Sequence, residues 1–230
     1  MSGGEFFSSL LKAVIVFLCG SDEEHVGAIE VWTNDPAESS EIGLADGYYG
    51  SAELFEWSSR NLRFGRGYGL PGLVWQTGMP LILKDLYRAG QFLRWKEALQ
   101  VGLSTGVGIP CPYDPARTWV MTFLSALGTP IARRFEIWVP DDSLDKLRLH
   151  AGACDQNARL ATDYEAMRLA KGEGVIGQSL HTGVPAVIDS AANEPSWLKQ
   201  SLDAAGLNAA VTMPIMGHDA KPKAIVAWYF

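Results

Sequence analysis

Apolar and polar residues alternate along Ile29-Glu-Val-Trp32 and again along Phe135-Glu-Ile-Trp138, and each stretch stops at an Asp and Pro pair, Asp35-Pro36 and Pro140-Asp141. Such alternation predicts strands with one face turned to a core. Short apolar runs starting at proline, Pro80-Leu-Ile-Leu83 and Pro185-Ala-Val-Ile188, predict two more strands, since proline's missing N–H does least harm at a strand's first residue. Hairpins are expected from Val107-Gly-Ile-Pro to Trp119-Val-Met-Thr-Phe and from Val211-Thr-Met-Pro to Ile225-Val-Ala-Trp-Tyr-Phe, with turn residues over 34–40 and 217–223. Helices are expected before Gly102 and Gly206, where glycine closes a C-terminus, and over the apolar run Leu10–Cys19. Strands joined by hairpins, with helices gathered between them, predict an α+β fold around an antiparallel sheet.

These elements come twice. Gly67-Tyr-Gly-Leu-Pro-Gly72 and Gln76-Thr-Gly-Met-Pro80 return 105 residues later as Gly172-Glu-Gly-Val-Ile-Gly177 and His181-Thr-Gly-Val-Pro185. Six of the fourteen positions are identical, all of them Gly, Thr or Pro, so what is repeated is a backbone shape. Trp95 and Gly102-Leu103 match Trp197 and Gly206-Leu207, and Ile109-Pro110 matches Met213-Pro214. Solenoid units run roughly 20 to 50 residues, so a period of this length is a small domain. Two domains are expected, over 1–127 and 128–230.

Both glycine loops spell G-x-G-x-x-G, with an acidic residue downstream at Asp85 or Asp189. That fingerprint binds a dinucleotide only when its last glycine opens a full helix in a strand-helix-strand crossover of at least about ten to twelve residues. Here only Leu73–Thr77 stands before Gly78 and Pro80 end the helix. A nucleotide fold is excluded by length in both copies.

The order of features is a strand of the form Glu-x-Trp, then G-x-G-x-x-G-x-x-x-x-T-G-x-P, a strand ending in Asp, an aromatic stretch, G-L-x-x-x-x-x-x-P and a hairpin. This order resembles the GAF domain, in two tandem copies covering nearly the whole chain. The resemblance implies a PAS-related α+β domain with a central antiparallel sheet of five to six strands flanked by helices. It also implies a ligand cleft between sheet and loops, and a regulatory role in small-molecule or chromophore sensing, with dimerisation through flanking helices. Cyclic-nucleotide-binding members carry N-K-x-n-F-x-x-x-D-E, which neither copy contains; bilin-binding members place a Cys beside the pocket, and 86–99 and 190–202 contain none.

Composition narrows the function further. With 47% apolar and 20% charged residues in 230, each half can bury its own core. Net charge is −7. Residues 1–127 carry −5 of it, nine Lys and Arg against fourteen Asp and Glu, and neither half has a basic stripe, which argues against nucleic acid or an anionic membrane as partner. The run Leu10–Cys19, with Lys12 inside it, is too short for a span of about 20 residues and lacks the basic start of a signal peptide, so a buried helix in a cytoplasmic protein is expected. Cys19, Cys111 and Cys154 are widely spaced and read as free thiols; no metal spacing of Cys and His occurs. No Ser, His and acid set recurs in both copies, so no catalytic residues are expected.

Candidate ligand-binding residues are Trp75, Asp85, Tyr87, Phe92 and Trp95 in the first copy and His181, Asp189, Trp197 and Asn208 in the second, all on segments that line the cleft the resemblance implies. For Asp85 and Asp189 the commoner role of an acid at a strand end, capping the next turn, ranks above ligand contact. For the aromatics, core filling is the default. The expected function is a non-catalytic sensory or regulatory module that binds an unidentified small molecule, with no cofactor named, or mediates dimerisation as a homodimer or with a signalling partner protein. The alternatives are a GAF-fold thiol enzyme of the free methionine sulfoxide reductase type and a ligand-free dimerisation scaffold. A chain that stops at Phe230 after a strand suggests either a fragment of a longer signalling protein or a stand-alone docking protein.

Overall fold

Two six-stranded antiparallel sheets carry the chain, one in each of the units Met1–Ile131 and Ala132–Phe230. The structure, a computed structural model, describes residues 27–35, 37–88, 90, 92–111, 117–126, 132–217 and 219–230. The helix expected over Leu10–Cys19 and the boundary expected between residues 127 and 128 lie outside them.

In the first unit the strands are β1 (Gly27–Asn34), β2 (Glu41–Tyr48), β3 (Arg63–Gly65), β4 (Leu81–Leu83), β5 (Leu103–Pro110) and β6 (Thr118–Ala126), in the order β3-β2-β1-β6-β5-β4. Helices α1 (Glu53–Arg60), α2 (Gly69–Thr77) and α3 (Trp95–Gln100) fall between them in sequence. Period-two geometry puts Ala28, Glu30 and Trp32 on one face of β1 and Ile29 and Val31 on the other, and all five are buried. Trp32, Ile42, Phe55, Phe64, Leu70, Val74 and Leu103 build the core between the sheet and the helices.

The second unit repeats the plan with β7 (Arg134–Pro140), β8 (Lys146–Cys154), α4 (Leu160–Asp163), β9 (Arg168–Ala170), α5 (Gly174–Thr182), β10 (Ala186–Ile188), a 3₁₀ turn at Ala191–Asn193, α6 (Ser196–Ala204), β11 (Ala210–Met216) and β12 (Pro222–Tyr229). Its order, β10-β11-β12-β7-β8-β9, is the order of the first sheet read from the other edge. Trp138, Leu160, Leu169, Ile176, Leu198 and Ile225 fill its core. The three-residue strands β3 and β9 are absent from the sequence reading. They are too short to show a period, and pairing with β2 and β8 is what sets them.

The repeated loop has a physical reason at each fixed residue. A Cβ at Gly72 would lie 2.2 Å from the Gly65 carbonyl oxygen, and one at Gly177 the same distance from that of Ala170, so only glycine lets α2 and α5 approach the short strands. Gly78 and Gly183 close those helices in left-handed conformation, their N–H groups donating to Val74 and Ser179 carbonyls. The Thr77 and Thr182 hydroxyls each donate to the carbonyl four residues back, at 3.0 Å. Each also accepts the N–H two residues on, from Met79 at 3.2 Å and Val184 at 3.3 Å, turning the chain into the next strand.

Candidate functional site

The inner face of each sheet holds a buried carboxylate at the same place. Glu30 sits mid-strand on β1 with no solvent exposure, where an uncompensated charge is costly. Its two oxygens accept from Trp32 Nε1 (3.1 Å), Tyr49 Oη (3.1 Å), Thr122 Oγ1 (2.7 Å) and Arg94 Nη2 (2.8 Å), with Arg94 Nη1 closing the bidentate pair. Burial raises a carboxyl's pKa, but the Arg94 charge and the hydrogen bonds from Arg94 and Thr122 outweigh it and hold Glu30 below its ordinary value. Burial, followed by the Glu30 charge, pushes the Tyr49 phenol far up.

Arg94 enters from the turn just before α3 and is itself buried. Its guanidinium lies 4.4 Å from the centroid of Phe55, 5.2 Å from Trp32, 5.3 Å from Phe92 and 5.7 Å from Phe64. Phe55 and Phe92 stack at 6.4 Å and Trp32 meets Phe64 edge-on at 4.8 Å. An aromatic enclosure suits a planar, weakly hydrated cation.

In the second unit Glu136 matches Glu30, and Trp138 Nε1 donates to it at 2.8 Å as Trp32 does to Glu30. The cation comes from elsewhere. Arg134 stands two residues ahead of Glu136 on the same face of β7 and reaches it with Nε (2.7 Å) and Nη2. Its other bonds go to Ser201 Oγ (2.9 Å) and Tyr164 Oη (2.7 Å), and Tyr229 Oη donates to Glu136 at 3.2 Å. Burial opposes the Arg134 charge, yet Glu136 and the neighbouring tyrosines raise its pKa. Trp197 packs on this cluster, 5.0 Å from Tyr164 edge-on and 6.2 Å from Trp138. In the first unit the position of Arg134 is taken by Ala28.

The nine candidates from sequence lie as follows. Phe92 is buried in the Arg94 enclosure, while Trp75 and Tyr87 pack half-buried on the first core. Burial and the Asp85 charge raise the Tyr87 phenol. Asp85 Oδ1 accepts the N–H groups of Tyr87 (3.0 Å) and Arg88 (3.2 Å), which is a capping role. Trp95 is 43% exposed, turned away from the core. Trp197 joins the Glu136 cluster, and His181 and Asp189 are exposed. Asn208 Nδ2 donates to the Asp189 carbonyl (3.2 Å) and its Oδ1 accepts the Ala191 N–H (3.1 Å), so it ties the strand end to the next turn. Of the nine, Phe92 and Trp197 thus meet the buried clusters.

One further group stands out in the second unit. The Glu194 carboxyl, nearly buried, accepts the Val175 N–H in the first turn of α5 at 2.8 Å, while its Oε2 has no hydrogen-bond partner among the described residues. Burial is the largest influence on it and pushes its pKa up. Sequence reasoning missed Glu30, Arg94, Arg134, Glu136 and Glu194. A charged residue in the middle of an apolar strand, in both copies, was the available signal for the first and fourth.

Among the described residues no three His, Cys, Asp or Glu side chains gather where they could hold a metal, and no helix is long and apolar enough to cross a membrane. The chain matches no family model and no curated protein sequence. Among solved structures it is similar to the A. aeolicus nlh2 GAF domain in an inactive state, at 17% identity over 43% of this chain and 57% of that one, with a TM-score of 0.34. It is also similar to NreA from Staphylococcus aureus mutated in its nitrate-binding site, at 18% identity over 56% and 91%, TM-score 0.39. A third is the free methionine-R-sulfoxide reductase of Neisseria meningitidis with its substrate, at 16% identity over 51% and 59%, TM-score 0.36. GAF domains stand among the structures this chain is similar to, and its two antiparallel six-stranded sheets with helical cover fit a tandem GAF-like arrangement.

Proposed function

We propose that the chain is a non-catalytic regulatory module of two GAF-like units that works by docking to protein. The observation that carries this reading is the occupancy of both inner faces. Where a small molecule would sit between sheet and helices, Arg94 with Phe55, Phe64 and Phe92 fills the first unit, and Arg134 with Tyr164, Trp138 and Trp197 fills the second. Each carboxylate already has its cation, so the chain supplies its own internal ligand. Thiol catalysis at Cys111 has little support: burial pushes its thiol up to about 11, away from the thiolate a nucleophile needs. Native mass spectrometry of the purified chain tests the docking reading. The expected spectrum is free of small molecules, and a ligand bound near one per chain overturns it.

A second reading, small-molecule sensing by the second unit, is favoured by the unpartnered Glu194 Oε2 near the start of α5. A donor on a ligand would satisfy that oxygen, and the same spectrum detects it.

A further inference from the structure

The helices α1 and α3 lie side by side in the first unit, and their outward surface is unusually apolar. On α1, Leu54 and Trp57 are 62% and 71% exposed, three residues apart on the face opposite Phe55, Ser58 and Ser59. On and just before α3, Leu93, Trp95 and Leu99 are 52%, 43% and 54% exposed. The fold does not require this: the corresponding helices of the second unit turn Ala161, Thr162 and Asp163 on α4, and Ser196, Gln200 and Asp203 on α6, to solvent.

We propose that this surface is where two copies of the chain pair about a two-fold axis, α1 of one copy lying against α3 of the other. The inference rests on the protein-docking reading above and names its partner. Three observations choose a second copy. The five side chains expose on the order of 600 Å². Paired, that gives roughly 1,200 Å² of buried surface, at the threshold of a specific interface, and as a single patch it is large for a monomer. Charge is the second: residues 1–127 carry −5, yet the two helices carry Glu53, Glu56 and Glu97 against Arg60 and Lys96, nearly balanced, so another copy meets little repulsion here. The third is self-complementarity. Exposed Glu53 opens α1 and exposed Lys96 lies in the first turn of α3, so a two-fold axis that crosses the helices sets each copy's carboxylate near the other's ammonium while the Trp and Leu side chains interdigitate.

Sedimentation velocity on the full chain between about 1 and 100 µM tests this, a range that spans dimers of such an interface. The wild type is expected at twice the chain mass by the upper concentration. Trp57→Glu, at a position too exposed to matter for folding, is expected to leave a monomer, with association weakened at least about tenfold, as for a buried aromatic anchor. Glu53→Lys and Lys96→Glu are each expected to weaken pairing and together to restore it. A wild type that stays monomeric, or a Trp57→Glu chain that still dimerises, overturns the inference. Should circular dichroism show that Trp57→Glu does not fold, the charge exchange decides: restoration supports the interface and its failure overturns it. A ligand-free monomer would remove self-association and leave the docking reading standing, whereas a co-purifying ligand would remove the docking reading whatever the mass.

Discussion

Replacing Arg94 by Ser, the residue at the matching position 196 of the second unit, leaves Glu30 buried without its cation. Removing one partner of a buried pair costs about 3 to 5 kcal/mol. Trp32, Tyr49 and Thr122 still donate to Glu30, which places the expected loss near the lower figure, about 3 kcal/mol. Urea unfolding followed by tryptophan fluorescence reads it, since the Trp32 indole is bonded to the carboxylate in question.

The pH dependence should also change sign. In the wild type Glu30 lies below its ordinary 4.5, so its contribution is complete above that value and is lost as pH falls through the lower folded value. Without Arg94, burial dominates and the folded pKa rises above 4.5; the contribution is then complete below 4.5 and lost as pH rises through the folded value. A rescue completes the argument. Adding Ala28→Arg puts a guanidinium two residues ahead of Glu30 on the same face, as Arg134 stands to Glu136, into the volume Arg94 has left. It is expected to return most of the lost stability and the original pH slope. A loss under about 1 kcal/mol for Arg94→Ser, or a double variant no more stable than the single one, would refute the compensation.

Other expectations can be read by the same unfolding curves. Gly72→Ala drives a Cβ against a backbone oxygen and is expected to cost more than Gly78→Ala, about 3 against about 1 kcal/mol, because Gly78 has only its left-handed conformation to lose and open space around it. Ser179→Ala takes away the Thr212 hydroxyl's close partner at 2.6 Å in the core and leaves it only the longer bond it donates to the Ala186 carbonyl at 3.4 Å, so it is expected to cost about 1 kcal/mol; adding Thr212→Val should recover part of that, a non-additivity measured by a double-mutant cycle. Glu194 has a raised pKa, so its ionised form weighs against the fold increasingly as pH rises. Glu194→Gln is expected to flatten the second unit's stability as pH rises above the ordinary carboxyl value of 4.5, and an unchanged slope there would count against the burial of that charge.

The duplication was legible because the repeated residues act through the backbone: Gly72, Gly78, Thr77 and their partners 105 positions on have steric or hydrogen-bonding duties that a sequence shows directly. The strand pattern around Glu30 and Trp32 was equally plain. What remained hidden depends on partners brought together by the sheet. Nothing near Arg94 announces a carboxylate 64 residues earlier, and no repeat points to it, because the second unit draws its cation from another position. Nor does sequence separate Phe92, buried under the guanidinium, from Trp95, turned outward three residues later: both are aromatics in one loop, and the start of α3 decides which way each faces. Asp85 was recognisable as a turn former because its bonds are to backbone two and three residues on, whereas Asn208, read from sequence as cleft lining, ties together a strand end and a turn 17 to 19 residues away.

The differing origin of the two guanidiniums limits how the halves can exchange segments. In the second unit both charges travel together on one strand, two residues apart, whereas in the first they lie on β1 and before α3. A crossover that moved β7 alone into the first unit would bring a second arginine against one carboxylate. The reciprocal transfer of β1 would leave the second unit with a buried acid and no cation. Chimeras of the two copies should therefore fold when the exchanged block runs from before the strand to beyond the helix, and fail when the junction falls between them.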